Sequence, residues 1–413
     1  MDMKKVFTNK LLTAIDIGTT KICVLVGHKI ADGQVEVIGV GRVPSEGLRK
    51  GVVVDIAKAA HSIKLAVKEA ELMANTTIDS AVIGISGGHI QSRNAYGAVP
   101  LEKGEVRQED IAAVIAAARA VPLAEGQKVL HVLPQFFSVD GHDRLTDPLG
   151  MHGIRLEAQV HIITGSISSV QNLVKCCELA GVKVQDVVLE QLASGQAVLS
   201  DDELELGVGV LDIGGGTSDL ALYQRSTIRH TMVLPIAGNH FTNDLAIGLR
   251  TTINDAERVK REYGLASADL LKQDNEIEIE MVQGGQTRMI HQSDLVAILE
   301  PRAQELLSII HEEVIARNLS SYLVSGLVIT GGGSLLEGIQ DTAGVIFGIP
   351  IRIGKPHLQD GDPDVLNNPM YATSYGLLLY ATKQQHDLDL YSHQDSEVGR
   401  LLIRMKSWVS DFF

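Results

Sequence analysis

The residues best suited to chemistry lie in the sequence LDIGGGTSDL, residues 211–220. Apolar runs flank Asp212 and the glycines, which predicts a strand, a tight turn and a second strand. Gly214, Gly215 and Gly216 leave no side chain in a ligand's way, and successive amides in such a turn can bind a phosphate chain. Asp212 is placed to hold Mg²⁺ through water, because Mg²⁺ sheds its water reluctantly. A glycine-rich hairpin without a ligand explains this stretch equally well.

A second stretch repeats this pattern near the start of the chain. The sequence TAIDIGTTKICVLVG, residues 13–27, places Asp16, Gly18 and the hydroxyl residues Thr19 and Thr20 between two apolar strands. The two aspartates lie 196 positions apart, about the length of one domain. We therefore expect two related lobes whose hairpins face each other across a cleft, with the phosphates of a nucleotide between them and Asp16 and Asp212 near the metal.

The composition limits the possible functions. With 413 residues, 45% of them hydrophobic, and 40 glycines, the chain can form two α/β domains. A net charge of −15 argues against nucleic acid as a partner and confines any contact with anionic membranes to a local segment. The cysteines Cys23, Cys176 and Cys177 form neither a disulfide framework nor a metal motif, which indicates a reducing cytoplasm. We expect no signal peptide and no membrane-spanning run.

The order of predicted elements gives each lobe an insertion. We expect a helix over residues 56–73, a buried strand over 80–86, a strand over 160–164 that returns to the first lobe, and a helix over 190–199. In the inserted α+β subdomain, the proline of VLHVLPQFFSVDG indicates an edge strand. In the second lobe, a long helix should have its first turn at Pro301, and Ser334 is suited to cap a helix after the glycines of LVITGGGSLLEGI, residues 327–339. A glycine loop at that end of a strand is where open α/β sheets bind ligands.

These patterns divide the chain into nine segments. The first lobe comprises residues 1–86 and 161–206, separated by the inserted subdomain at 87–160, and receives a return helix from 356–382. The core of the second lobe comprises 207–238 and 301–355, with an insertion at 239–300 between them. A flexible linker over 383–396 and an amphipathic helix over 397–413 complete the prediction.

The last 17 residues, EVGRLLIRMKSWVSDFF, differ from the rest. Large apolar residues recur at three- and four-residue spacing, at Val398, Leu401, Leu402, Met405, Trp408, Val409 and Phe412, with Arg400, Arg404 and Lys406 off this stripe. Such a helix can dock on its own protein. The polar stretch before it and the basic residues beside it favour a helix lying on anionic lipid.

The order of these motifs resembles the actin-like ATPase superfamily, which also includes sugar kinases and heat-shock chaperone ATPases. The resemblance to one family within it, the FtsA family of bacterial cell-division proteins, covers essentially the whole chain. It depends on the sequences SGGHIQSRNAYGAV (86–99), DPLGMHGIRLEAQVHIITG (147–165), LDIGGGTSDLA, PIAGNHFTNDLA (235–246) and VITGGGSLLEG. The expected fold is α/β, a two-lobed actin-like ATPase with ribonuclease H-like halves, an inserted α+β subdomain and a C-terminal amphipathic helix.

The resemblance also implies a binding site for ATP with Mg²⁺. The first phosphate hairpin is matched by Gly18, Thr19, Thr20 and Lys21, and the second by Asp212, Gly214, Gly215, Gly216 and Thr217. The adenosine loop is matched by Gly331, Gly332, Gly333 and Ser334. Glu257 and Lys260 match positions that contact the nucleoside, although an ordinary surface ion pair explains their spacing nearly as well.

Family membership implies further partners and a location. Such a protein assembles into filaments with itself and binds the tail of the tubulin-like protein FtsZ, expected on the insertion at 239–300. It thereby tethers the FtsZ ring to anionic lipid on the cytoplasmic face of the inner membrane at the division site, as a peripheral protein. It also recruits later division proteins.

The sequence does not identify a catalytic residue. Hydrolysis requires a group that positions water in line with the γ-phosphate, and Glu190 and Gln191 are the nearby candidates. Capping or packing at a helix start explains both residues equally well. We therefore expect weak ATPase activity at most and no metabolic activity.

Three other functions share this superfamily. A small-molecule kinase would need an acidic general base in a substrate pocket between the lobes, and the sequence offers no such motif. A chaperone ATPase would need a peptide-binding domain after residue 382. A cell-shape filament protein would carry actin's usual subdomain in place of the insertion at 87–160.

Overall fold

The computed structural model describes residues 11–30, 34–282 and 285–390. The chain begins with a hairpin of β1 (Leu11–Ile17) and β2 (Lys21–Lys29), followed by β3 (Val35–Pro44), the short β4 (Leu48–Arg49) and β5 (Val52–Val53), α1 (Ile56–Ala74) and β6 (Ser80–Ile85). The helix predicted over 56–73 is confirmed as α1, and the Asp55 side chain caps it by accepting a hydrogen bond from Lys58 N. Gly41 on β3 lets α1 approach closely, because a Cβ there would lie 2.0 Å from Ala66 O.

An inserted subdomain follows β6. It contains β7 (Gln91–Pro100), α2 (Gln108–Arg119), β8 (Gln127–Val139), β9 (His142–Leu145) and β10 (Arg155–Ser166), in a sheet of order β7-β10-β8-β9. The predicted return of 160–164 to the first lobe is wrong, because these residues pair with β7 and β8 along their whole length.

The edge position predicted for the strand containing Pro134 is also wrong. That strand, β8, pairs with both β10 and β9. The proline is tolerated because the register shifts beside it, and because β9 pairs only with Phe137 and Val139 further along.

The chain then returns to the first lobe through α3 (Ile167–Leu179), β11 (Lys183–Leu189), α4 (Glu190–Val198) and α5 (Asp201–Leu206). The first-lobe sheet has the order β11-β6-β1-β2-β3, in which β1 pairs antiparallel with β2 and parallel with β6. Its core is formed by fully buried apolar side chains such as Ile15, Leu25 and Ile83.

The second lobe repeats this topology. Its elements are β12 (Val208–Ile213), β13 (Ser218–Gln224), β14 (Thr227–Leu234), α6 (Gly238–Leu249), α7 (Ile253–Tyr263), β15 (Glu276–Glu280), β16 (Thr287–His291), α8 (Gln292–Ala316), β17 (Leu327–Thr330), α9 (Ile339–Phe347) and β18 (Ile351–Ile353). The sheet order β14-β13-β12-β17-β18 matches the first sheet strand for strand, with the same antiparallel and parallel pairings. The expected two-lobed α/β fold with related halves is confirmed.

The long helix α8 begins nine residues before Pro301, so the start predicted at that proline is wrong. Leu295 and Leu299 pack in the second-lobe core ahead of the proline, and Asp274 accepts hydrogen bonds from Ser293 at the helix start. Burial of this first stretch outweighs the backbone hydrogen bond that Pro301 cannot donate.

The last described element, α10 (Ala372–Leu390), packs on α4 and β1 of the first lobe. Gly376 makes this contact close, because a Cβ there would lie 1.8 Å from Ala193 O. The helix continues to Leu390, so the first eight residues of the predicted linker at 383–396 are helical. The amphipathic helix predicted at 397–413, with all its lipid-facing residues, lies outside the described residues. None of the helices within the described ranges is both long and apolar enough to span a membrane.

Candidate functional site

The two Asp-Gly hairpins close in the same way and face each other. Gly18 N donates to Lys21 O over 3.0 Å, and Gly214 N donates to Thr217 O over 2.9 Å. A Cβ on Gly215 would lie 2.2 Å from Thr20 Cγ2, and one on Gly216 would lie 2.3 Å from Thr19 Oγ1. The lobes therefore touch at these loops in this structure, and Gly215 and Gly216 fit against Thr20 and Thr19 because they lack side chains.

A buried cluster of carboxylates lies beneath the hairpins. Asp16 is the last residue but one of β1, and Asp212 occupies the same position in β12 of the second lobe. Both side chains are nearly inaccessible to solvent. Lys21 Nζ lies 2.5 Å from Asp16 Oδ2. Burial alone would lower the pKa of Lys21, but the charges of Asp16, Cys23 and Asp212 and the hydrogen bond with Asp16 raise it well above its usual value. Lys21 thus stays charged and partly neutralises the cluster.

Asp212 and Glu190 in this cluster have raised pKa values. Burial raises the pKa of Asp212 to about 6, and the charge of Asp16 adds to this shift although Thr373 Oγ1 donates to Asp212 Oδ2 over 2.7 Å. Burial, followed by the charges of Asp16, Asp219 and Asp212, raises the pKa of Glu190 well above its usual range. Several carboxylates in one desolvated space repel one another, and a bound cation would relieve that repulsion.

Asp219 belongs to this cluster, although the sequence analysis did not select it. It lies directly opposite Asp212 in the β12–β13 register, and Ser86 Oγ of the first lobe donates to its Oδ1 over 2.5 Å. Burial raises its pKa to about 7, with the charge of Asp212 adding to the rise and the Ser86 hydrogen bond opposing it. The signal was present in LDIGGGTSDL, because the hairpin register predicts that its two aspartates face each other.

A third glycine loop lies against Asp212. Gly331 has φ +82°, and a Cβ there would lie 2.2 Å from Asp212 Oδ1. A Cβ on Gly333 would lie 2.3 Å from Ile213 Cγ2, whereas one on Gly332 would meet nothing within 4 Å. The expected helix cap at Ser334 is not formed. Its Oγ donates to Gly331 O over 2.7 Å within a short 3₁₀ turn, and α9 begins later, after Gly338.

Glu257 and Lys260 form an ion pair that reaches the second hairpin. Lys260 Nζ lies 2.6 Å from Glu257 Oε2 and 3.2 Å from Gly238 O. Gly238 N in turn donates to Gly214 O, so the start of α6 is bonded to the glycine loop. The pair therefore lies at the edge of the hairpin, and Lys260 is mostly buried rather than on an open surface.

The two candidate catalytic residues have different surroundings. Glu190 joins the buried carboxylate cluster and packs against Gly84, where an added Cβ would lie 3.1 Å from its Cγ. Gln191 is fully buried and donates from Nε2 to Met232 O over 3.4 Å, so its amide points toward β14. Within the described residues, its Oε1 has no hydrogen-bond partner.

These features fit a nucleotide with a divalent cation. The glycines of the loops put no side chain in the way of a phosphate chain, and the carboxylates gain from a positive ion beside them. Across residues 11–30, 34–282 and 285–390, no group of three or more His, Cys, Asp or Glu side chains is arranged as a metal site. Asp16 and Asp212 could contact a hydrated Mg²⁺ through its waters, which Mg²⁺ sheds reluctantly.

The repeated sheets and facing hairpins define an actin-like protein. The chain is similar to the solved structure of a PilM–PilN type IV pilus biogenesis complex, with a TM-score of 0.64 and 19% identity over 90% of this chain and 98% of the other. It is also similar to MreB5 of Spiroplasma citri bound to ADP, with a TM-score of 0.55 and 15% identity over 92% and 99% of the two chains. At these identities the similarity establishes the fold.

The sequence comparisons then identify the family. Residues 209–376 match the family model for the cell division protein FtsA, and residues 87–164 match the SHS2 domain inserted in FtsA. The chain is 42% identical to the cell division protein FtsA of Pseudomonas aeruginosa and 37% identical to that of Escherichia coli strain K12, over the full length of both proteins in each case. The FtsA of Bacillus subtilis is 37% identical over 91% of this chain and 84% of its own. This chain belongs to the FtsA family of cell division proteins.

Proposed function

We propose that this FtsA-family protein binds ATP and Mg²⁺ between its two hairpins and acts as a nucleotide-dependent membrane adaptor in cell division. The observation that carries the nucleotide site is the buried cluster of Asp16, Asp212, Asp219 and Glu190 beneath two facing glycine loops. When bound, Mg²⁺ supplies the positive charge that this cluster lacks and that the phosphates of ATP also require.

Each group of residues has a separate task in binding. Gly18, Thr19, Thr20 and Lys21 would hold the phosphates from the first lobe, and Gly214, Gly215, Gly216 and Thr217 from the second. The adenosine would lie between Gly331, Gly332, Gly333, Ser334 and the Glu257–Lys260 pair. Asp16 and Asp212 would orient the hydrated metal ion.

We infer that turnover of ATP is weak. Burial and the neighbouring carboxylates raise the pKa of Glu190 well above its usual range, which opposes the ionised form that a base for activating water needs. Gln191 donates its amide to Met232 O, which supports a packing role. Binding without rapid hydrolysis suits a scaffold whose two lobes are held together by a nucleotide. Steady-state ATPase at the rates of metabolic kinases would contradict this part of the proposal.

The adaptor role has two proposed contacts besides self-assembly into a filament. The insertion at 239–300 would bind the FtsZ C-terminal tail, and the exposed apolar side chains of Ile247, Val282 and Met289 on that insertion support this. The amphipathic stripe at 397–413 would bind anionic lipid on the cytoplasmic face of the inner membrane. Together these contacts would tether the FtsZ ring and bring later division proteins to it.

Flotation with anionic liposomes tests the membrane part. The whole chain and a version ending at Ser396 would be compared with and without ATP, and the proposal requires that only the whole chain floats. Trp408→Glu places a charge on the apolar stripe and should abolish flotation, whereas Ser410→Glu places the same charge off the stripe and serves as the matched control. Equal flotation of the whole and shortened chains would refute the anchor.

FtsZ recruitment can be tested on the same liposomes. Fluorescent FtsZ should bind liposomes only when they carry the whole chain. A peptide of the FtsZ C-terminal tail should compete, because the tail is the proposed contact. Recruitment unaffected by excess peptide would place the FtsZ contact elsewhere.

A further inference from the structure

A cavity of about 350 Å³ lies where the inserted subdomain meets both lobes. None of the three glycine loops contributes to it. Its apolar walls come from β8, α4, β13 and β14, and include Phe136, Phe137, Leu192, Leu199, Tyr223 and Ile228. A pocket of this size and character takes a large apolar group with few polar atoms.

The cavity also offers polar groups to an occupant. Gln196 lines it, and the Nε2 atom of this side chain is buried with no hydrogen-bond partner in the described part of the chain. Burying a polar atom without a hydrogen-bond partner destabilises the fold, so an occupant that pairs with this amide would be favoured. An aromatic group with one polar atom would fit both the walls and this amide better than a purely aliphatic one.

The C-terminal segment leaves the folded body beside this cavity. Lys383, on α10, lines the cavity, and α10 ends seven residues later at Leu390. That last part of the helix carries the chain about 10 Å onward. Residues 391–396 can span about 20 Å if extended, and a helix from 397 to Trp408 adds about 17 Å. The segment is therefore long enough to turn back and place Trp408 in the cavity.

One acidic and one basic residue, Asp201 and Lys383, line the cavity, and its acidic side lies at the start of α5. Asp201 and Asp202 beside it are both exposed. The C-terminal segment carries Arg400, Arg404 and Lys406 in a chain whose net charge is −15. The acidic groups at the start of α5 would attract this basic segment over distances of about 8 Å at physiological salt.

We propose that, in the absence of lipid, residues 397–413 dock on their own protein, with the Trp408 side chain in this cavity. The inference rests on the proposed membrane role of the same segment, because it makes lipid and the cavity compete for one apolar stripe. Docking hides that stripe in solution and releases it at the membrane. Since α4 forms one wall of the cavity and also begins with Glu190, an occupant contacts the helix that borders the nucleotide site.

Intrinsic fluorescence tests the inference directly, because Trp408 is the chain's single tryptophan. For the full chain without lipid, we expect blue-shifted emission and weak quenching by acrylamide, at protein concentrations low enough to exclude contact between copies. Phe136→Glu puts a charge in the cavity and should shift the emission to that of a peptide of residues 391–413 in water, with a severalfold rise in quenching. Leu149→Glu, on an exposed part of the same subdomain outside the cavity, is the matched control and should change neither.

A cross-link provides a second measurement that does not depend on Phe136. The exposed Thr146 lines the cavity, and Ser407 adjoins Trp408. A chain with Thr146→Cys and Ser407→Cys should form an intramolecular disulfide under mild oxidation, and anionic vesicles should suppress it. The native Cys23, Cys176 and Cys177 are buried and should not compete.

The outcomes separate this inference from the proposed function. An exposed Trp408 in the lipid-free chain, with vesicle binding intact, overturns the docking and leaves the membrane anchor standing. The docking is also overturned if the blue-shifted emission of Trp408 is unchanged by Phe136→Glu, or if it depends on protein concentration. Docking without any vesicle binding would support the cavity contact and refute the anchor.

Discussion

The Ser86 hydroxyl of the first lobe donates a hydrogen bond of 2.5 Å to Asp219 Oδ1 of the second, and its oxygen lies 3.2 Å from Thr217 Oγ1. This link is buried directly beside the second hairpin. Because it joins the lobes at the carboxylate cluster, the charge of that cluster and the closure of the lobes are coupled.

Asp219→Asn should change how stability depends on pH. The pKa of Asp219 is raised from 3.8 to about 7 in the folded protein, so the folded state holds this proton over a range where the unfolded chain has lost it. Stability contributed by the protonated group is therefore lost as the pH rises through that range. Relative to the variant, the parent should lose about 1.4 kcal/mol per pH unit between about pH 4 and about pH 7. Urea unfolding with a metal chelator present measures this, and a constant difference between the two proteins would contradict it.

His161→Gln should make the protein less sensitive to acid. Burial, with the nearby His230 adding to it, lowers the pKa of His161 from 6.5 to about 3. The neutral ring lies between Asn94 Oδ1 and Thr231 Oγ1, at 2.7 and 2.9 Å. The neutral ring makes its full contribution to the free energy of unfolding above about pH 6.5. This contribution falls as the pH drops below that value, by about 2 kcal/mol at about pH 5. The variant should lack this loss, and the same change at the exposed His152 should retain it.

Asp212→Asn should weaken binding of the Mg²⁺–nucleotide complex. The substitution removes a carboxylate from the cluster where the metal is proposed, and the expected loss of affinity is roughly 10- to 100-fold. Calorimetry with and without Mg²⁺ measures it, with the exposed Asp202→Asn as control. An unchanged affinity would refute the role assigned to Asp212.

Gly331→Ala and Gly332→Ala form a matched pair. An alanine at 331 needs φ +82° and brings its Cβ within 2.2 Å of Asp212 Oδ1, whereas one at 332 meets nothing within 4 Å. We expect the first to cost about 1–3 kcal/mol of stability and to displace Asp212, and the second to leave stability unchanged. Thermal unfolding of both variants separates them, and equal effects would contradict the structure of this loop.

Local patterns in the sequence predicted the parts of the site that depend on a few neighbouring residues. Each Asp-Gly hairpin, with Asp16 or Asp212 before its glycines, is complete within about ten positions, and the repetition implied two lobes. Helix α1 was also predictable, because its apolar spacing and its Asp55 cap agree.

The sequence did not predict features that depend on distant partners. Ser86 and Asp219 are 133 positions apart, and only the folded lobes bring them together. The strand at 160–164 has the same apolar character whether it joins the first-lobe sheet or the inserted one, because composition does not specify a pairing partner. Helix α8 passes through Pro301 because the residues before it are buried in the second-lobe core.

The close contact of Gly376 with Ala193 O has a mechanical consequence. The backbones of helices α10 and α4 pack directly against each other there, because no side chain separates Gly376 from Ala193. Tension applied at the C-terminal end of α10 is therefore borne by α4, whose first residue is Glu190. If the C-terminal segment is held in place and the second lobe is pulled, the force would pass through α10 and α4 to the carboxylate cluster between the lobes.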